Sequence, residues 1–245
     1  AMTPEVTAKL AKLGHDLIIE PGAGKAAGFA DAAYVEAGAT LAKSKADLYK
    51  RADTIACVRP PEPKDLARLS AEQSLISFFY PSQNEELLTA AGESGATVIA
   101  MDMVPRISRA QKMDALSSMA NVAGYRAVIE AGNNFGRFFT GQVTAAGKIP
   151  PAKVLVIGAG VAGLAAIGTA QSLGAIVRAF DVRPEVAEQI ESMGAEFLFL
   201  DFDDAADGAA TGGYAAPSSP EFREKQLALF REQAPDIDIV ITTAL

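Results

Sequence analysis

The chain has 245 residues, of which 49% are hydrophobic, so it can bury the core of one large domain or of two ordinary ones. Its formal net charge is −8 at pH 7 without a basic stripe, which argues against nucleic acid as a partner. A single cysteine, Cys57, excludes an intramolecular disulfide, and a single histidine, His15, excludes a His/Cys cluster with metal-ligand spacing. We therefore expect no metal site and, since glycines break the longest uncharged apolar stretch, no transmembrane segment.

The first half of the chain alternates between helical and extended patterns. Thr3, Pro4 and Glu5 are typical of a helix start, because threonine caps a helix, proline suits its first position and an acid suits its first turn. The glycine-rich residues 21–28 lack the spacing of a phosphate loop, and we interpret them as a flexible connection. The patterns predict helices at 3–13, 31–37, 45–51, 63–69 and 84–91, and strands at 16–20, 54–58, 74–80 and 97–101.

The second half opens with a connector and then returns to the same alternation. Residues 106–118 lead into a helical region that extends to about residue 139, and Gly147 to Pro151 predicts a turn. Further patterns predict strands at 153–157, 176–180, 196–200 and 238–241, and helices at 184–193 and 221–233. Alternating strands and helices indicate parallel sheets with helices on both faces.

The most informative stretch is the apolar strand 153–157 with the glycines that follow it. Gly158, Gly160 and Gly163 lie between this strand and a helical pattern that ends near residue 173, and this is the dinucleotide-binding fingerprint in its required context. Gly158 allows a sharp turn, Gly160 lets a pyrophosphate approach the backbone, and Gly163 lets the helix pack closely on the sheet. The pyrophosphate is expected at the start of the helix, near Val161, where free N–H groups favour an anion.

Asp181 follows the next predicted strand and stands where this fingerprint requires an acid. Its carboxylate is expected to accept hydrogen bonds from the adenosine ribose hydroxyls and to repel a 2′-phosphate, so that NAD(H) is preferred over NADP(H). Arg183 weakens this expectation, because a nearby arginine can accommodate that phosphate.

Residues 201–220 are rich in aspartate, glycine, alanine and proline and include Tyr214. From composition alone they are interpreted as a disordered surface linker. The functional alternative is a mobile lid over a binding site.

The predicted architecture is α/β, with two Rossmann-like doubly wound parallel-sheet domains, a long helical connector and a cleft between the domains. The domains are predicted at 1–118 and 119–245. Both ends of the chain look cut: the first domain lacks a first strand, and about four of the usual six strands are expected in the second.

These stretches together resemble the NAD(H)-binding domain in the alpha subunit of proton-translocating nicotinamide nucleotide transhydrogenases, a family related in fold to alanine dehydrogenase. The resemblance covers essentially the whole chain. Its specific markers are residues 106–118, the glycine motif with residues 181–183, and the stretches 212–214 and 241–245.

The resemblance implies roles for particular residues. Arg106, Gln111, Asp114 and Ser117 would form the loop that holds the nicotinamide ring and its ribose, with the first three as the catalytic set and Ser117 as a cofactor-binding residue. Tyr214 would be the tyrosine of a mobile loop that closes over bound nucleotide, which favours the lid interpretation. The remaining residues implied in NAD(H) binding are Gly158, Gly160, Val161, Gly163, Asp181, Val182 and Arg183.

The implied reaction is direct hydride transfer from NADH to NADP⁺ held by a separate NADP(H)-binding domain, coupled to proton movement through a membrane domain. Such a transfer needs two nicotinamide C4 atoms held about 3–3.5 Å apart in a water-poor site, and it needs no acid or base. The family further implies a homodimer of this domain at the cytoplasmic face of the inner membrane.

Two other functions remain open. An amino-acid dehydrogenase of the alanine dehydrogenase type needs a proton-transfer group beside its substrate, and its relatives use a histidine and a lysine. The corresponding stretches here contain Arg59 and residues 79–82 and no histidine, which counts against this reading. The other open function is a regulatory module that binds a nucleotide and catalyses no reaction. It would be distinguished from an enzyme by testing whether hydride transfer occurs when a partner is supplied.

Overall fold

The computed structural model describes residues 1–200 and 219–243. The chain divides into two compact units, Ala1–Asp114 and Ala115–Leu245. The division falls within the stretch 106–118, at whose end the sequence places the domain boundary. Each unit contains parallel strands connected through helices, which confirms the predicted α/β class.

The first unit contains five α-helices and five strands. The helices are α1 (Pro4–Lys12), α2 (Asp31–Glu36), α3 (Lys45–Arg51), α4 (Pro63–Leu66) and α5 (Glu85–Ser94). The strands are β1 (Ile18–Ile19), β2 (Thr40–Leu41), β3 (Thr54–Ala56), β4 (Ser74–Ser77) and β5 (Thr97–Ala100). Thr3 caps α1 as predicted, since its side-chain oxygen accepts a hydrogen bond of 3.3 Å from the backbone N–H of Val6.

The strands of the first unit form two separate parallel sheets, β1–β2 and β3–β4–β5. The prediction missed β2 because its two residues are both exposed and carry no alternating apolar pattern. Residues 21–28, interpreted as a flexible connection, include a short 3₁₀ helix, Lys25–Ala27. The core of the larger sheet is formed by Tyr49, Ile55, Leu66, Leu69, Leu75, Phe79 and Ala91.

The second unit contains a four-stranded parallel sheet in the part that the structure describes. Its helices are α6 (Ala115–Asn134), α7 (Val161–Ser172), α8 (Ala187–Ser192) and α9 (Pro220–Gln233). Its strands are β6 (Gln142–Thr144), β7 (Gly147–Ile149), β8 (Lys153–Ile157), β9 (Ile176–Phe180), β10 (Glu196–Phe197) and β11 (Ile239–Thr242). The sheet order is β10–β9–β8–β11, so the chain reverses its direction of winding at β8, as in a doubly wound fold.

Several boundaries in the second unit differ from the predictions; the strand predicted at 196–200, for example, is observed only at Glu196–Phe197. The connector helix α6 ends at Asn134 rather than near residue 139, because Phe135 and Phe139 leave the helix and pack against the core. The predicted turn at Gly147 begins strand β7 of a small antiparallel hairpin. The helix predicted at 184–193 is divided into a 3₁₀ turn, Pro184–Val186, and α8.

Helix α7 packs on the sheet and on α6 at very short range. Its buried residues Ala166, Ile167 and Ala170 belong to the same core cluster as Val154 and Val156 of β8. A Cβ atom at Gly124 of α6 would lie 1.9 Å from the carbonyl oxygen of Ala162, so the two helices require glycine at this crossing. Gly124 of α6 therefore sets the distance between the two helices.

Candidate dinucleotide-binding site

The glycine motif lies at the carboxyl end of β8, where the sheet order reverses. Strands β9 and β11 pair with β8 on its two sides. In open parallel sheets, this reversal leaves a crevice outside the carboxyl ends of the strands, and ligands bind there. The fold therefore places Gly158, Gly160 and Gly163 at the position that the sequence predicts for a dinucleotide.

Gly158 makes the turn off the strand. Its φ is +96°, a conformation that residues with a side chain rarely adopt, and its backbone N–H donates to the carbonyl oxygen of Phe180 at 2.8 Å. A Cβ atom at Gly163 would lie 1.8 Å from the carbonyl oxygen of Gly158. The predicted roles of these two glycines, a sharp turn and close helix packing, match their geometry.

Gly160 is the N-cap of α7 and faces open space. A Cβ atom built on it would meet no other heavy atom within 4 Å, so the space beside this backbone is available to a ligand. The next residue, Val161, begins the helix and is 41% exposed. The first N–H groups of an α-helix have no partner within the helix, and together with the helix dipole they favour an anion such as a pyrophosphate.

Asp181 follows β9 and is only 8% exposed. Its Oδ2 atom accepts a hydrogen bond of 2.6 Å from the backbone N–H of Ala159, in the middle of the glycine turn. Arg183 donates from its backbone N–H and Nε to Oδ1, both at 2.9 Å, and from Nη2 to Oδ2 at 3.1 Å. Asp181 thus joins the glycine turn, the end of β9 and the side chain of Arg183.

Opposing effects act on the pKa of Asp181. Burial alone raises it, but the hydrogen bonds from the Arg183 side chain and from the backbone of Ala159 and Arg183 outweigh burial and hold the pKa below 3.8. The Asp181 hydrogen bond in turn raises the pKa of Arg183. The site therefore holds an ionised carboxylate at neutral pH, which suits hydrogen bonding to sugar hydroxyls.

Two residues of this site were not assigned from the sequence. Ala159 donates to Asp181, and the Thr243 hydroxyl after β11 donates to the carbonyl oxygen of Gly158 at 2.9 Å. The available signal for Thr243 was its position directly after a predicted strand, since the strands of a parallel sheet end at the same edge. That position predicts at which edge of the sheet Thr243 lies, but it does not predict the hydrogen bond to Gly158.

The other predicted site residues are placed as follows. Arg106 and Gln111 are exposed in the first unit, and Gln111 lies within a 3₁₀ helix, Ser108–Met113. Asp114 caps this helix and is half-buried, and Ser117 lies half-buried in the first turn of α6 in the second unit. Val182 packs beside a small core cluster that includes Phe180. Tyr214 lies outside the described residues.

Two other kinds of feature are absent from the part of the chain that the structure describes. Among residues 1–200 and 219–243, no group of three or more His, Cys, Asp or Glu side chains could hold a metal ion. No helix within the same residues is both long and apolar enough to cross a membrane.

The chain matches two protein-family models in succession. Residues 1–123 match the alanine dehydrogenase/PNT N-terminal domain, and residues 127–245 match the alanine dehydrogenase/PNT C-terminal domain. The chain belongs to the alanine dehydrogenase/PNT family. The resemblance indicated by its sequence markers is thereby confirmed.

Among curated relatives of this family, the NAD(P) transhydrogenase subunit alpha of Cereibacter sphaeroides is 74% identical over 245 residues. The match covers 100% of this chain and 47% of that protein, so the chain spans about half the length of this relative. An alanine dehydrogenase of Halomonas elongata is 35% identical over 184 residues, with 74% of this chain and 49% of that protein covered.

Solved structures support the same fold. The crystal structure of transhydrogenase from Sinorhizobium meliloti matches with a TM-score of 0.84 and 41% identity, covering 99% of this chain and 64% of that one. A structure of L-alanine dehydrogenase matches with a TM-score of 0.69 and 28% identity, covering 82% of this chain and 56% of that one. The alanine dehydrogenase/PNT fold is therefore present over nearly the whole chain.

Proposed function

We propose that this chain is the NAD(H)-binding part of a proton-translocating transhydrogenase. In this proposal NADH bound here passes a hydride directly to NADP⁺ held by an NADP(H)-binding partner domain, and the transfer is coupled to proton movement through a membrane domain. The observation that carries the proposal is the buried Asp181 carboxylate, bonded to the glycine turn at the point where the sheet order reverses. The high identity to a transhydrogenase subunit alpha supports the same reaction.

The residues of the second unit fit the adenosine and pyrophosphate parts of the cofactor. The open space beside Gly160 and the N-terminus of α7 suit the pyrophosphate, and the carboxylate of Asp181 suits the ribose hydroxyls. Val161 begins α7, Val182 and Arg183 directly follow Asp181, and these three residues complete the proposed binding set.

The nicotinamide end is assigned to the stretch around Gln111. When bound, the cofactor supplies a hydride at C4 of its nicotinamide ring. Arg106, Gln111 and Asp114 would hold that ring in a single orientation and exclude water, and Ser117 would bind its ribose. Gln111 lies within a short 3₁₀ helix, Arg106 and Asp114 lie just outside its two ends, and Ser117 lies in the first turn of α6. Tyr214 would close over the bound nucleotide.

The partners follow from the reaction. A hydride acceptor must be delivered by a separate NADP(H)-binding domain, and proton movement requires a membrane domain of the same complex. Similarity to proteins named subunit alpha supports membership of such an assembly. We further propose that this domain forms a homodimer and lies at the cytoplasmic face of the inner membrane.

The second candidate is an amino-acid dehydrogenase of the alanine dehydrogenase type, which the structural match to L-alanine dehydrogenase favours. That chemistry needs a proton-transfer group beside the substrate. Residues 79–82 contain neither a histidine nor a lysine, and Asp102 accepts the backbone N–H groups of Phe79 and Tyr80 at 2.6 and 2.9 Å. His15 is exposed just after α1. These observations make this candidate the weaker one.

Partner-dependent hydride transfer tests the proposal. The full-length chain is mixed with its NADP(H)-binding partner, and oxidation of NADH is followed on addition of NADP⁺, with pyruvate and ammonium as a parallel substrate pair. We expect transfer that depends on the partner and no turnover of pyruvate. Turnover of pyruvate without the partner would favour the dehydrogenase, and no reaction in either assay would leave a nucleotide-binding module.

A further inference from the structure

The carboxylate of Asp181 has no spare acceptor capacity in this structure. An ionised carboxylate offers about four lone-pair positions. Asp181 receives four hydrogen bonds, two on each oxygen, from Ala159 and Arg183. Any further donor, including a sugar hydroxyl, must therefore replace one of these four.

The four bonds differ in how easily they can be given up. The N–H groups of Ala159 and Arg183 belong to the backbone of two turns and are fixed by the fold. The other two donors, Nε and Nη2, belong to the flexible side chain of Arg183, which is 19% exposed. The guanidinium of Arg183 is thus the group that can leave Asp181.

The pairing also fixes the charge at this position. The guanidinium donates from two of its nitrogens to the two oxygens of one carboxylate, and phosphate is the other common partner for such paired donation by arginine. As long as Asp181 carries its charge, the positive charge of Arg183 is neutralised and both groups are held together.

From this geometry we propose that Arg183 is able to bind a 2′-phosphate. Asp181 prevents this binding, because it holds the guanidinium of Arg183 in an ion pair. Asp181 rejects NADP(H) in two ways, through its own negative charge and by occupying the guanidinium that would otherwise bind the phosphate. A neutral residue at position 181 releases Arg183 to the 2′-phosphate. The proposal rests on the proposed NAD(H) site, because it concerns the ribose end of the same cofactor.

A double-mutant cycle tests this proposal by equilibrium binding. Calorimetry measures the affinities of NADH and NADPH for the full-length chain, for Asp181→Asn, for Arg183→Gln and for the double variant. Asparagine keeps an oxygen that can accept from Ala159 but removes the charge that holds Arg183. Asp181→Ser serves as a second neutral variant, and the thermal unfolding midpoint of each protein checks its fold.

We expect the unaltered chain to bind NADH and to bind NADPH at least about tenfold more weakly. Asp181→Asn should raise the affinity for NADPH about tenfold or more, and Arg183→Gln in the same chain should abolish most of that gain. Asp181→Ser should behave like Asp181→Asn.

Other results separate the possible failures. An equal gain in NADPH affinity with and without Arg183 would overturn the role of Arg183 while leaving the NAD(H) site intact, because relief of repulsion alone would then explain the gain. No gain in either neutral variant would overturn it as well. Failure of the unaltered chain to bind NADH would contradict the proposed function itself and this inference with it.

Discussion

The carboxylate of Asp181 accepts the backbone N–H of Ala159 at 2.6 Å, which joins the end of β9 to the glycine turn after β8. One side chain therefore holds the shape of the turn and also presents an acid to the expected ribose position. Any change at Asp181 is expected to affect both the stability of the second unit and its cofactor preference, and the two effects must be measured separately.

The first prediction concerns acid stability. Because Asp181 has a folded pKa below 3.8, its contribution to stability is fully present above that pH and is lost as the pH falls through the lower folded pKa. Asp181→Asn should cost about 1–3 kcal/mol at pH 7, and the difference from the unaltered chain should shrink below pH 3.8. Urea midpoints followed by circular dichroism between pH 7 and 3 measure this, and a constant difference would contradict the prediction.

The second prediction separates two glycines of the same turn. Gly163→Ala should destabilise the chain by about 1–3 kcal/mol, because its Cβ atom would lie 1.8 Å from the backbone oxygen of Gly158. Gly160→Ala meets open space and should cost less than about 1 kcal/mol, yet it should weaken NADH binding about tenfold or more. Unfolding and NADH titration of both variants decide this. Unchanged NADH affinity in Gly160→Ala would contradict the placement of the pyrophosphate beside Gly160.

The third prediction concerns the contact between α6 and α7. Gly124→Ala should destabilise the chain by about 1–3 kcal/mol, since the added methyl would lie 1.9 Å from the carbonyl oxygen of Ala162. Gly92→Ala is the matched control, because Gly92 is exposed within α5 and its added methyl meets nothing within 4 Å. This control should gain about 0.5–1 kcal/mol from its better helix propensity. Equal effects of the two substitutions on the unfolding midpoint would count against close helix packing.

The fourth prediction concerns Gln111 in the proposed nicotinamide site. Gln111→Ala should slow hydride transfer far more than it weakens NADH binding, because a group that orients the ring acts mainly in the transition state. Single-turnover transfer in the full complex and NADH titration give the two quantities. Equal losses in both would make Gln111 a simple binding residue.

The local patterns of the sequence were sufficient to predict the central elements of the second unit. Strand β8 was predicted with its observed bounds, and the glycines, α7 and β9 follow it in the predicted order. Apolar runs, glycines and an acid at fixed spacing are signals carried by neighbouring residues, so the fingerprint could be recognised without any tertiary information.

The contacts that complete the site were not predictable in this way. Thr243 and Gly158 are 85 residues apart, and Gly124 and Ala162 meet only because two helices cross. Short or exposed elements were also missed by the sequence prediction. In the hairpin of β6 and β7, Val143 is 79% exposed, so the hairpin buries no apolar face and lacks the pattern by which a strand is predicted. The pairing of Asp181 with Arg183 depends on a side-chain conformation, which spacing alone does not determine.

Direct hydride transfer from NADH bound here is tested most directly by isotope transfer. NADH carrying deuterium at both C4 positions is mixed with the full complex and NADP⁺ in ordinary water, and the NADPH formed is analysed by mass spectrometry. We expect one deuterium in each NADPH molecule, because the hydride passes between the two nicotinamide rings without exchange. NADPH that carries hydrogen from the solvent instead would contradict direct transfer.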